Sequence, residues 1–366
     1  MTLSTIAQHF RRVAAFLLLT LLFSSRLVAQ HGVLGPSLTE ALNAAAPLDQ
    51  LEVIVSFDQE GPLTLAQRLS LQRLGFNGVY FHSLPMAGVV ATPAQINALA
   101  NRSGVRSIWH NDELAYENDS ATALSGVDAL REDAQFQQIN GGLPFSGKGV
   151  GVMINDSGVD GLHNDLKNSM VQNVSGHLSL RDFTTLAPYV YVEDIPHTDV
   201  GGGHGTHVAG IIGGSGALSG GLYEGVAPGA DLIGYGSGVV VALIDVLSGF
   251  DYALTHQFEY NIRVVSNSWG FTDDVGTDFN PDDPVNIATK KLADRGVIVV
   301  FSAGNSGPTE NTITGNFKKA PWVITVAAGT KSGVLADFSS RGRPDHGGTV
   351  TVDGETFTWE DRPTIT

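Results

Sequence analysis

The sequence predicts an α/β protein: a parallel sheet with helices on both faces, preceded by a small α+β unit of ferredoxin-like order. Three observations carry this. From about Val127 onward, apolar strand-like runs alternate with helical stretches, the pattern of a sheet covered on two sides. Upstream, residues 50–111 read β-α-β-β-α-β, the split βαβ order. Between them, residues 112–126 are polar and lack a period, which predicts an exposed linker.

The first element is a targeting segment. Arg11 and Arg12 precede the apolar run Val13 to Phe23, which is too short to span a bilayer, and Ala29 sits at a cleavage position. Residues 1–29 therefore read as a secretory signal. The product is expected to be extracellular or periplasmic, with no membrane span once the signal is removed. In the small unit, Leu51–Phe57 alternates as a strand and Leu63–Leu74 has helical spacing. Gly75–Leu84 and Gly88–Ala91 read as strands. Thr92 caps a helix that opens with Pro93, runs to about Asn101 and carries Gln95 where a capping box needs it. Val105–Trp109 closes the unit as a strand.

In the larger unit, 127–366, strands are expected at Val150–Asn155, Asp231–Gly234, Arg263–Asn267, Val297–Phe301 and Trp322–Ala327. Helices are expected at His207–Gly213, Val240–Gln257 and Pro284–Arg295. Gly347–Phe357 reads as a hairpin turning at Asp353-Gly354. The 366 residues are 42% hydrophobic, enough for a core and for about two or three folding units. A net charge of −16 argues against nucleic acid, which needs Lys and Arg to neutralise phosphates. The absence of cysteine removes disulfides, zinc-thiolate sites and thiol nucleophiles.

Three places carry chemistry. Val150–Asn155 is a buried strand that runs into an acid, so Asp156 sits at the carboxyl edge of the sheet, where such folds place their sites. The run Gly201-Gly202-Gly203 delivers His204 to the start of an apolar helix. Val299–Phe301 empties into a tight turn from which Asn305 projects, either as a turn former or as an amide donor to a developing oxyanion. Metal binding by His197, His204 and His207 competes with this reading, although no H-E-x-x-H pattern supports it.

Taken in order, D-S-G at Asp156, H-G-T-H-V-A-G at His204, G-V-A-P at Gly225, S-N-S-W-G at Ser266 and S-A-G-N at Ser302 make the chain resemble the subtilisin-like serine peptidases, the subtilases. The resemblance covers about Val127 to Gly342, and the upstream unit resembles the family's inhibitory prodomain. It implies that Asp156 orients His204, that His204 is the general base and that Asn305 is the oxyanion donor. It implies that Ser266, Asn267, Ser268, Trp269 and Gly270 line one side of the substrate cleft and Gly236, Ser237 and Gly238 the other. The implied partners are protein or peptide substrates and the chain's own prodomain as an intramolecular inhibitor. Asp165 falls where many members supply a calcium ligand. The loop that completes that site, Gly213–Glu224, holds no asparagine here, so no cofactor is expected.

One motif is missing. The family's nucleophile lies in G-T-S-M-A, and no G-T-S occurs in these 366 residues. Ser339-Ser340-Arg341-Gly342 matches a structural stretch of the family. The expectation is a chain truncated before the nucleophile and inactive as it stands. The competing expectation is a non-catalytic homologue that binds peptides.

Overall fold

The computed structural model describes residues 32–116, 127–238, 241–271, 274–330 and 334–364. The expected signal, 1–29, lies outside them. The first unit contains β1 (Val33–Leu34), α1 (Pro36–Ala44), β2 (Leu51–Phe57), α2 (Leu65–Arg73), β3 (Asn77–Tyr80), β4 (Met86–Ala91), α3 (Pro93–Ala100) and β5 (Val105–His110). Its strands lie in the order β5-β2-β4-β3, the split βαβ arrangement. Thr64 and Thr92 each close a capping box, with Gln67 and Gln95. The unit starts near residue 33, not 50: β1 extends the sheet beside β5, and Pro36 opens a helix at its first position. The strand expected at Gly75–Leu84 shrinks to Asn77–Tyr80. Gly75 turns the chain out of α2 with φ +78°, and the Phe81 N–H already reaches back to the Met86 carbonyl.

Next come β6 (Glu113–Tyr116), α4 (Val127–Glu132), α5 (Ala134–Ile139), β7 (Gly151–Asp156), β8 (Met170–Ser175), β9 (Leu186–Pro188) and α6 (His204–Gly213). These are followed by β10 (Asp231–Gly236), β11 (Val241–Ala242), α7 (Leu243–His256), β12 (Ile262–Asn267), β13 (Trp269–Gly270) and α8 (Pro284–Asp294). The last are β14 (Ile298–Ser302), β15 (Val323–Val326), β16 (Gly347–Val352) and β17 (Glu355–Glu360). The main sheet, β15-β14-β12-β7-β10-β8, is parallel throughout. Alternation along β7 explains why both faces are covered. Val152 and Ile154 pack with Val208 and Ala209 of α6, while Met153 points the other way, into the core that holds Val246, Leu247 and Phe250 of α7. Asp353 (φ +50°) and Gly354 (φ +84°) turn the β16–β17 hairpin as its sequence demands.

The two units share a core. Ile54, Val79, Leu84, Met86 and Trp109 of the first sheet meet Leu243, Val246 and Leu247 of α7. Asp251 of α7 accepts the backbone N–H groups of His82 (2.9 Å), Ser83 (2.6 Å) and Leu84 (3.0 Å) from the turn before β4. Three donors that would otherwise be stranded in this contact are thereby satisfied. The second unit also lends the first a strand: β9 pairs parallel with β3 and forms the sheet's outer edge. No helix among the described residues is long and apolar enough to cross a membrane.

Candidate active site

Asp156 is the last residue of β7 and is fully buried. Its Oδ1 accepts the Ser157 N–H at 2.8 Å and lies 2.6 Å from His204 Nδ1. Burial pushes the Asp156 carboxyl above its ordinary pKa, against the hydrogen bond and charge of His204. His204 is the first residue of α6. Gly203 before it takes the left-handed conformation, φ +88°, that brings the chain into the helix. The helix start presses on the β7 end so closely that a Cβ on Gly205 would stand 2.1 Å from the Gly158 carbonyl oxygen.

Sequence reasoning missed the group that holds this helix start. The Asp199 carboxylate accepts the Thr206 hydroxyl (2.6 Å), the Thr206 N–H (3.1 Å), the Ser157 hydroxyl (3.1 Å) and the Gly203 N–H (3.3 Å). Ser157 in turn accepts the Gly205 N–H at 2.9 Å. Burial pushes the Asp199 carboxyl up, but these bonds outweigh it and leave it below its ordinary value. The signal available was an acid just before a glycine run that opens a helix. It escaped notice because the cap is not at the residue adjoining the helix.

Asn305 lies exposed, three residues beyond β14, at the same carboxyl edge of the parallel sheet. Its turn is fixed from outside: the Ser340 N–H donates to the Gly304 carbonyl, and the Ser340 hydroxyl accepts the Ser306 N–H. Ser339 and Ser340 are buried in this support, as the F-S-S-R-G match implied.

The segment 112–126 is not wholly a free linker. Glu113–Tyr116 forms β6, the middle strand of an antiparallel sheet between β11 and β13. Leu114 pairs with Val241, Glu113 with Ala242, Ala115 with Gly270 and Tyr116 with Trp269. Its approach is pinned by the Leu243 N–H on the Asp112 carbonyl and the Ile244 N–H on the Asn111 side chain. Residues 117–126 lie outside the described residues. Across β6 from Trp269–Gly270, the described pairing falls at Val241–Ala242. Gly236 is the end of the main-sheet strand β10, level with Asp156, and Ser237 is buried with its N–H on the Asp156 carbonyl. The helix expected from Val240 accordingly begins at Leu243. Of Ser266–Gly270, only Trp269 and Gly270 pair with β6. Ser266 and Asn267 belong to β12, and the Asn267 amide donates to the Val265 and Val300 carbonyls inside the sheet. The Trp269 side chain is buried against Phe250, Phe301 and Phe317, while its backbone pairs with β6.

Among the described residues, no group of three or more His, Cys, Asp or Glu is placed to hold an ion. His204 is committed to Asp156, and His197 lies 3.8 Å from Asp160. The Asp165 carboxylate accepts the Leu218 N–H at 2.9 Å, bracing the glycine-rich loop.

At the carboxyl edge of the parallel sheet, a buried strand-end acid thus holds a helix-start histidine. Residues 147–361 match the Subtilase family, and the chain belongs to it. It is 30% identical over 286 residues to the serine protease AprX of Bacillus subtilis (strain 168), covering 73% of this chain and 58% of that protein. It is 32% identical over 228 residues to a subtilisin of Bacillus sp. (strain TA39), covering 59% and 48%. The chain thus spans about half the length of the relatives it matches. Among solved structures, fervidolysin from Fervidobacterium pennivorans is alike in fold, with TM-score 0.58 at 19% identity over 92% of this chain and 54% of that one. The epidermin leader peptide processing serine protease of Staphylococcus aureus gives TM-score 0.51 at 20% identity over 81% and 75%.

Proposed function

We propose that the chain is the inhibitory unit and most of the catalytic unit of a secreted subtilisin-type serine endopeptidase. The observation that carries the reading is the 2.6 Å Asp156–His204 contact at the sheet edge, with the chain's own strand β6 laid in the neighbouring cleft. In this reading Asp156 accepts a hydrogen bond from the Nδ1–H of His204, which leaves Nε2 to take a proton from a serine hydroxyl. The serine oxygen bonds to the scissile carbonyl carbon, and Asn305 with a backbone N–H donates to the resulting oxyanion. The imidazolium then protonates the leaving amine, and water releases the acyl group by the same route. The β11 and β13 edges hold an extended peptide by its main chain, which favours protein and peptide substrates of varied sequence. Because β6 already fills that position, the first unit acts as the inhibitor, and self-processing falls after Tyr116, within 117–126.

The serine is the component that these 366 residues do not offer. Ser339 and Ser340 are structural, and no G-T-S is present. The test joins a G-T-S-M-A-bearing segment from a subtilase to the chain. The joined protein is expected to cut itself after Tyr116, and His204→Ala is expected to abolish the cut. Asn305→Ala should slow it about 10²–10³-fold, the scale established for such a donor in subtilisin itself. Normal processing in His204→Ala, free of other proteases, overturns the reading. The pairing of β6 between β11 and β13, which shows these edges holding an extended strand, favours a second reading, a peptide-binding protein without catalysis. In that case the joined protein stays uncut while still binding extended peptides.

A further inference from the structure

The connection from β8 to α6 makes an excursion whose base is closed by paired backbone bonds between Ser175 and Val192, at 2.9 and 3.1 Å. Its outer part lies against the first unit, while His177 and Tyr191 near its ends reach Asp245 and Asp251 of α7. β9 joins that unit's sheet, the Tyr189 N–H donates to the Tyr80 carbonyl at 3.0 Å, and Gln72 of α2 donates to the Leu186 carbonyl at 3.1 Å. Leu186 is buried in the first unit's own helix-side core, beside Leu71 and Val89. Tyr189 stacks on Phe81, and Arg181 pairs with Glu52 at 3.0 Å. This surface is continuous with the α7 face, because Leu180 and Tyr189 share a core with Leu243 and Val246.

We propose that 177–191 is a docking segment through which the second unit keeps the first as a non-covalent partner after the joining chain is cut. Main-chain pairing supplies affinity, and the Leu186 side chain, seated in the partner's core, supplies selectivity for this unit. Pro188 fits the role. Alternate residues of a parallel strand point their N–H groups to one side, and Tyr189 directs its own toward β3. The residue before it has no N–H to offer on the open edge, so the strand accepts one partner and does not recruit another.

The inference rests on the two-unit reading above, but its test does not depend on the chain's own activity. A recognition site for an added sequence-specific protease is placed within 117–126 of the full chain, the chain is cut, and association of the halves is followed by native mass spectrometry on dilution. The parent halves should stay together at micromolar concentration. Leu186→Asp should raise the dissociation constant at least about tenfold, and Gln72→Ala, on an exposed helix face where it cannot unfold the unit, about threefold. Hydrogen exchange at the Tyr189 amide should proceed at the rate of release of the first unit. Parent halves that part at once, variants within twofold of the parent, or a Tyr189 amide still protected after release would each overturn the proposal.

Discussion

Replacing Asp199 by Ala isolates what holds the histidine helix in place. The change removes the acceptor of five hydrogen bonds and strands two groups: the Thr206 N–H, third donor of α6, and the Ser157 hydroxyl. Loss of a helix cap costs about 0.5–2 kcal/mol, and each bond to a charged acceptor about 1.5–3 kcal/mol. Water offsets much of this, because Asp199 and Thr206 line a cavity of about 1300 Å³ on the flank of α6. The net expectation is a loss of roughly 2–3 kcal/mol, read as a lower urea midpoint at unchanged slope. The pH dependence gives an independent check. The folded-state pKa of Asp199 is lowered, so its contribution is present above the ordinary carboxyl pKa and is lost as pH falls through the folded value. The gap between parent and Asp199→Ala should therefore close in acid. The Nδ1 proton resonance of His204 should broaden in the variant as its helix frays. A variant within about 0.5 kcal/mol of the parent at pH 7, the size of an ordinary surface change, would refute the reasoning.

Two further changes test the burial arguments. Asp283 caps α8 from full burial, which pushes its carboxyl up to about 7. A raised folded-state pKa means stability is fullest below the ordinary value and falls as pH rises toward 7, so melting temperature should decline from pH 4 to 7, and Asp283→Asn should flatten that slope. Asp251→Ala leaves three backbone donors of 82–84 without their acceptor. Hydrogen exchange at His82, Ser83 and Leu84 should then accelerate at least about tenfold, at a cost of about 1–3 kcal/mol per stranded group before relaxation.

What could be read from the sequence was what local rules encode. Thr92, Pro93 and Gln95 announce a helix start, Asp353-Gly354 a hairpin, and an apolar strand ending on Asp156 an edge-of-sheet acid. The glycine run before His204 marked a helix start, and Gly203 enters it in left-handed backbone. The missed elements include α1 and the main-sheet strand β8, nine and six residues long, and a set of shorter strands defined by their partners. β6, β9 and β11 are too short for a period of two to show, and each exists because a distant strand supplies its hydrogen bonds. The pairing at Val241–Ala242 likewise depends on where residues 113–114 arrive. Pro36 was a legible helix signal that went unused.

The pairing of β3 with β9 also fixes an order of events at the ribosome. Val79 meets Ala187, so the first sheet's outer edge stays open until more than a hundred further residues have been made. Contacts of such wide sequence separation form late and slow the approach to the native state. Until then the nascent first unit exposes the β3 edge and the core position that Leu186 will fill, surfaces suited to a chaperone or to misassociation. Synthesis rate through 80–190 thus becomes a determinant of yield, independent of the final stability of either half.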